Sequence, residues 1–153
     1  KLPPNFRLVG LIHLIIPDAI IIDVRRQALD TGVSLFKQHF SAGHEFSYDL
    51  ENIARYYNSY VSMMNHWNEV LPQKVLCQSY LGLLDDLELS TRKMLDHCGL
   101  EFEPACLSFH QNDRPVHTAS SEQVRQPLYR SGLDSWKRFE THLAPLINTL
   151  KQS

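Results

Sequence analysis

The chain has 153 residues, 43% of them apolar, which is enough for one hydrophobic core and indicates a single folding unit over residues 1–153. Its 15 basic and 17 acidic residues give a net charge of −2, so no overall positive field draws nucleic acid or acidic membranes to it. Three irregularly spaced cysteines are too few for a disulfide framework or a closed zinc site, which excludes a small secreted scaffold and favours a cytoplasmic protein without a metal.

The first part of the chain predicts a helix, a strand and a second helix. Residues 6–16 predict a short apolar helix, and Pro17 interrupts the apolar stretch of residues 8–22, which therefore cannot span a membrane. Residues 19–24, which are apolar except for Asp23, predict a strand that is covered on both faces, as in a parallel sheet. Residues 27–39 follow with apolar side chains at helical spacing.

The middle of the chain predicts a long helix, a second strand and another helix. Apolar and aromatic side chains recur every three or four positions over residues 50–67, and Pro72 ends this amphipathic helix. Residues 74–80 predict a second, short strand. Residues 85–98 predict a helix, with Gly99 in the place of a left-handed cap.

The last third predicts a long ordered loop followed by helices. The loop runs from Glu101 to Ser131 with one short helix at residues 105–109, and residues 131–139 and 143–150 predict two closing helices. Strands that alternate with helices indicate an α/β fold with a parallel sheet. Because the sequence predicts only two strands, we expect the remaining strands to lie in sequence upstream of Lys1.

The junction between the first strand and its helix carries the strongest chemical signal. Arg26 lies at the carboxyl end of the strand, where parallel α/β sheets bind ligands, and Ser34 shares one side of the next helix with Asp30. An arginine fork and a hydroxyl group together suit a phosphate monoester. The alternative is structural: Arg26 pairs with a carboxylate such as Asp30, and Ser34 bonds to a helix carbonyl.

A family resemblance bears on this choice. Residues 22–31 with Ser34 resemble the motif by which sulfotransferases that use phosphoadenosine phosphosulfate (PAPS) hold the 3′-phosphate, an Arg followed eight positions later by a Ser. Residues 75–100 resemble the strand, tyrosine and helix block of that family, and residues 109–139 resemble its cofactor-closing loop. The resemblance covers nearly the whole chain and is strongest to bacterial sulfotransferases fused to tetratricopeptide repeats, with protein-tyrosine sulfotransferases further away.

The resemblance implies a C-terminal part of a P-loop-type, three-layer α/β/α domain whose N-terminal strands and phosphosulfate loop are absent from the chain. It implies transfer of a sulfonate from PAPS to a hydroxyl or amine acceptor, which leaves adenosine 3′,5′-bisphosphate. The implied cofactor contacts are the 3′-phosphate pair Arg26 and Ser34, the adenine-pocket residue Tyr80, and the closing-loop residues Ser120, Gln123, Arg125, Tyr129 and Arg130.

Catalytic groups are sparse in the chain. Lys1 precedes Leu2 and Pro3 as in the active-site segment of the family, and is the candidate for stabilising the transferring group. Because the usual base and the phosphosulfate loop lie upstream in that family, we expect the chain alone to keep half of the nucleotide site and no transferase activity. Leu81 and Gly82 depart from the family, which commonly has an acidic residue after its tyrosine.

Two other classes of function stay open. One is a non-catalytic interaction module, in which the helix of residues 50–70 and the C-terminal helix build the face of a homodimer. The other is a P-loop nucleotide kinase, because a fold alone does not fix the chemistry. A kinase would carry the motif G-x-x-x-x-G-K-[ST] in its upstream sequence. The acceptor of a sulfonate cannot be read from these residues.

Overall fold

We describe a computed structural model of the chain, which places residues 3–38, 40, 43–112, 115 and 123–150. Within these residues two strands form a small parallel sheet and the other regular elements are helices, which confirms a mixed α/β composition. The chain divides into two compact units. Unit 1 comprises Lys1–Ile21, Arg26–Val75 and Gly132–Ser153, and unit 2 comprises Ile22–Arg25 and Leu76–Ser131.

The regular elements follow the predicted order, with three short additions, two of which are the 3₁₀ helices at Glu45–Tyr48 and Gln123–Arg125. Tyr80 begins a short helix that the sequence did not predict, and Asp134, at φ 56°, prevents a helix from running through residues 131–135. The last predicted pair of helices therefore starts at Ser135, with a 3₁₀ helix. The elements are α1 (Val9–Ile15), β1 (Ile21–Arg25), α2 (Ala28–Lys37), α3 (Leu50–Val70), β2 (Val75–Ser79), α4 (Tyr80–Asp85), α5 (Leu87–Cys98) and α6 (Ala144–Leu150), with 3₁₀ helices at Pro3–Leu8, Glu45–Tyr48, Pro104–Gln111, Gln123–Arg125 and Ser135–His142.

Unit 1 is organised around α3. Ile53 of α3 and Leu146 of α6 are fully buried, and Val33 of α2 packs against them in the same cluster. A second cluster forms where Met64 of α3 meets Phe6, whose carbonyl accepts a 2.7 Å hydrogen bond from the indole of Trp67. The aromatic and methionine side chains of α3 thus pack in the core, as their helical spacing predicts.

Unit 2 contains most of the sheet together with α4 and α5. Gln78 of β2 is buried and donates to the hydroxyl of Ser90 at 3.2 Å. The predicted left-handed cap of α5 is confirmed at Gly99, which has a φ of 65°. Val24 of β1 is 52% exposed, so the described residues do not cover both faces of this strand as predicted.

The helices of the described ranges lack the character of membrane spans. The longest is α3, with 21 residues, and it mixes polar and apolar side chains along its length. Across residues 3–38, 43–112 and 123–150, no helix combines the length and apolar character that crossing a bilayer requires.

We expect Gly32→Ala to destabilise unit 1. A Cβ atom at Gly32 would lie 2.8 Å from Cδ2 of the fully buried Leu146, and overpacking of this kind costs about 1–3 kcal/mol. The free energy of unfolding in urea measures the effect. The control is Gly82→Ala, where the nearest atom is 3.4 Å away and no loss is expected. Equal stability of Gly32→Ala and the native chain would contradict this packing.

The cap of α5 gives a second test of stability. Replacing Gly99 by Ala forces a β-carbon into the left-handed region, at a cost of about 1 kcal/mol, although no atom lies within 4 Å of the new group. Asn tolerates this conformation better, so Gly99→Asn should lose less than Gly99→Ala in thermal unfolding. An Ala variant at least as stable as the Asn variant would rule out backbone strain at this position.

Candidate functional site

The turn between β1 and α2 places Arg26 at the amino end of α2. Gln27 adopts an extended conformation, with φ −54° and ψ 141°, and its carbonyl accepts the amide of Thr31 at 2.9 Å. The side chain of Gln27 forms no capping hydrogen bond. The first amide groups of α2 and the helix dipole therefore create a positive environment beside Arg26, which favours an anion.

Arg26 is held at both its backbone and its guanidinium. The hydroxyl of Tyr57 donates to the Arg26 carbonyl at 3.1 Å, which fixes the turn against α3. Nη2 of Arg26 donates to the carbonyl of Gly132. The side chain is half-buried, so its position depends on these neighbours more than a solvated arginine would.

Asp30, one turn into α2, binds the same distant segment. Its side chain is completely buried, and its two carboxylate oxygens accept from the amide of Asp134 at 3.0 Å and from the hydroxyl of Ser135 at 3.1 Å. Both oxygens thus have partners, as a buried carboxylate requires. The turn of residues 132–134 and Ser135, the first residue of the following 3₁₀ helix, contact both Arg26 and Asp30 and are here together named the 132–135 turn.

Ser34 is exposed on the flank of α2, on the side of Asp30. It lies six positions beyond Ala28, the first residue of the helix, which corresponds to a rise of about 9 Å. One phosphate can contact both Ser34 and Arg26 only if the arginine side chain extends along the helix. The structure places Arg26 in the turn before α2 and Ser34 within α2, and their convergence on a phosphate stays a prediction.

In unit 2, two predicted cofactor residues contact each other. Tyr80 is the first residue of α4, and its hydroxyl donates to the carbonyl of Tyr129 at 3.3 Å. Arg130 donates to the Leu84 carbonyl at 3.0 Å and forms a 2.6 Å ion pair with Asp85. These bonds attach residues 129–130 to α4. A phosphate contact by Arg130 stays a prediction.

The remaining predicted residues are less defined. Arg125 is exposed and ends the 3₁₀ helix that begins at Gln123, of which only the backbone is described. Lys1 and Ser120 lie outside the described residues. Among the side chains that the structure places, no group of three or more His, Cys, Asp or Glu residues could hold a metal ion.

Sequence reasoning missed the support around Arg26. Gly132 lies 106 positions further along the chain, and no local pattern near it indicates a contact with Arg26. Ser135 and Tyr57 likewise fit ordinary helix positions. The only available signal was Asp30, an acidic residue in the first turn of a helix, which the sequence offered as a direct partner of Arg26.

Comparison with known proteins gives the family. Residues 1–104, more than half of the chain, match the model of a sulfotransferase family, and this range includes Arg26, Ser34 and Tyr80. The chain is also similar to an uncharacterized protein of Aquifex aeolicus (strain VF5), with 38% identity over 155 residues. That alignment covers 99% of this chain and 20% of the relative, so the chain spans about one fifth of the relative's length. The chain belongs to the sulfotransferase family.

Proposed function

We propose that the chain is part of a sulfotransferase domain that uses PAPS, and that Arg26 and Ser34 bind the 3′-phosphate of the nucleotide. Membership of the sulfotransferase family supports the reaction type. The observation that carries the phosphate assignment is the half-buried Arg26, held by Tyr57 at the amino end of α2.

The residues of this turn fit a phosphate dianion chemically. A guanidinium group offers planar, charged donors, a serine hydroxyl adds a further donor, and the amino end of a helix favours negative charge. Bound PAPS would supply an activated sulfonate for a hydroxyl or amine acceptor, with adenosine 3′,5′-bisphosphate as the leaving group. The role of Arg26 and Ser34 is to bind and orient the nucleotide. Correct orientation of the reactants accounts for a large part of the lowering of the barrier to group transfer.

The proposal extends to the fold. We propose that β1 and β2 belong to a larger parallel sheet of the P-loop type, with helices on both sides. Exposed apolar side chains support this, because Val24 of β1 is 52% exposed and, on α1, Leu14 and Ile15 are 76% and 67% exposed. Each unit by itself thus leaves large apolar side chains uncovered, as expected if further strands and helices of the domain pack against them.

Arg26 gives the direct test of the phosphate site. Adenosine 3′,5′-bisphosphate and adenosine 5′-phosphate differ only by the 3′-phosphate, so the dissociation constant of the monophosphate divided by that of the bisphosphate measures its contribution. We expect Arg26→Lys and Ser34→Ala to reduce this ratio, the lysine change by about tenfold, since a charge-assisted hydrogen bond is worth about 1.5–3 kcal/mol. Isothermal titration calorimetry on the chain measures both constants.

The matched control is Arg55→Lys, since Arg55 is exposed and pairs only weakly with Glu51 at 3.4 Å. This variant should keep the native ratio. A native chain that binds the two nucleotides equally well would overturn the assignment of the 3′-phosphate to this turn.

Tyr80 tests the adenine contact separately. If its ring stacks on the base, Tyr80→Ala should weaken adenosine 3′,5′-bisphosphate binding by about tenfold, since a base on an aromatic side chain is worth about 1–3 kcal/mol. Tyr80→Phe removes the hydroxyl that donates to the Tyr129 carbonyl but keeps the ring, so its affinity should stay close to native. Equal affinity of the Ala and Phe variants would show that the ring does not contact adenine.

A further inference from the structure

We propose that Asp30 is a positioning residue for Arg26, and that it acts through the 132–135 turn. This inference rests on the proposed function in one respect, namely that Arg26 is the residue that grips the 3′-phosphate. It assigns a role to a part of the chain that lies beyond residues 1–104, the range that matches the family.

The first step is the way in which Asp30 holds the turn. One oxygen of Asp30 accepts the amide of Asp134 at 3.0 Å, and the other accepts the hydroxyl of Ser135 at 3.1 Å. The carboxylate is fully buried, so water does not compete for these bonds. Two hydrogen bonds to successive residues fix both the location and the direction of the turn.

The second step is the contact between the turn and the guanidinium. The Gly132 carbonyl, two residues before Asp134, accepts a hydrogen bond from Nη2 of Arg26. Arg26 thus contacts the first residue of the 132–135 turn, and Asp30 contacts its last two residues. A displacement of the turn at Asp30 therefore moves the acceptor that orients Arg26.

The third step concerns the closeness of the approach. A Cβ atom at position 132 would lie 2.8 Å from Nη2 and 3.5 Å from Cζ of Arg26. Any larger residue would push the guanidinium away, whereas glycine lets the backbone come close. The position of the arginine thus depends on the absence of a side chain at Gly132 as well as on the carboxylate of Asp30.

Orientation matters because arginine recognises phosphate through a planar fork. Two parallel N–H donors must face two phosphate oxygens, and a small misplacement of a binding group loses much of its effect. The backbone of Arg26 is already fixed by the hydroxyl of Tyr57. The turn supplies the remaining restraint, at the far end of the same side chain.

The test uses three variants that weaken the restraint in different ways. Asp30→Asn removes the acidic acceptor, Ser135→Ala removes one of its two donors, and Gly132→Ala displaces the guanidinium directly. We expect each to lower the ratio of affinities for adenosine 3′,5′-bisphosphate over adenosine 5′-phosphate, by about tenfold for Asp30→Asn and Gly132→Ala and by less for Ser135→Ala. The control is Glu51→Gln, which makes the same change in charge at an exposed carboxylate and should keep the ratio.

A second measurement separates this inference from the proposed function. The side-chain resonances of Arg26 in the nucleotide-free chain report rotation of its guanidinium by NMR, and we expect restricted rotation in the native chain and faster rotation in Asp30→Asn and Ser135→Ala. If the native chain lacks a preference for the 3′-phosphate, the proposed function fails. The NMR measurement needs no nucleotide, so in that case it still decides whether Asp30 positions Arg26. If the variants keep the native preference, or leave the rotation unchanged, the role of Asp30 is overturned. Should Asp30→Asn fail to fold, Ser135→Ala gives the same decision, because it removes one of the two donors to the carboxylate.

Discussion

A buried carboxylate joins the start of α2 to a segment more than a hundred residues away. Asp30 has no exposed surface, and its oxygens accept from the amide of Asp134 and the hydroxyl of Ser135. A buried acid that lost such partners would be strongly destabilising, so this arrangement constrains the chain far more than a surface ion pair does. The same segment reaches the guanidinium of Arg26 through Gly132, and the proposed phosphate site therefore shares its support with the core of unit 1.

Helix α2 packs against the core on one side and is exposed on the other. Val33 and the bare backbone of Gly32 face the packed core against Leu146, while Ser34 stays exposed on the flank. Of the two residues that we assign to nucleotide binding, Arg26 precedes the helix and Ser34 lies on its exposed flank. This division explains why a ten-residue helix contains glycine, aspartate and serine, none of which favours helix formation by itself.

The sequence predicted those elements that have a repeating pattern. The spacing of apolar residues located α3 within three residues of its observed end at Val70, and the glycine cap correctly marked the end of α5. Helix α4 was missed because it has only six residues and contains a glycine, which is too short for a periodic signal. Its start did carry a local sign, since the hydroxyl of Ser79 accepts the amide of Gly82.

The site was predictable only in part, for a physical reason. The position of Arg26 after a strand is a local property, and the sequence revealed it, whereas the partners that orient it come from the other end of the chain. Contacts between residues 106 positions apart depend on how the whole unit closes, and no short pattern records them. The pairing of Arg130 with Asp85 was likewise visible only in three dimensions.

The packing of α6 has a practical consequence for anyone who divides this protein by the range of the family match. A polypeptide cut after residue 104 would lack Leu143 and Leu146, and Ile53, now completely buried, would lose these two members of its cluster. The acidic group in the first turn of α2 would at the same time lose both of its donors. A recombinant version intended for binding studies therefore has to extend through Leu150, the last residue of that closing helix.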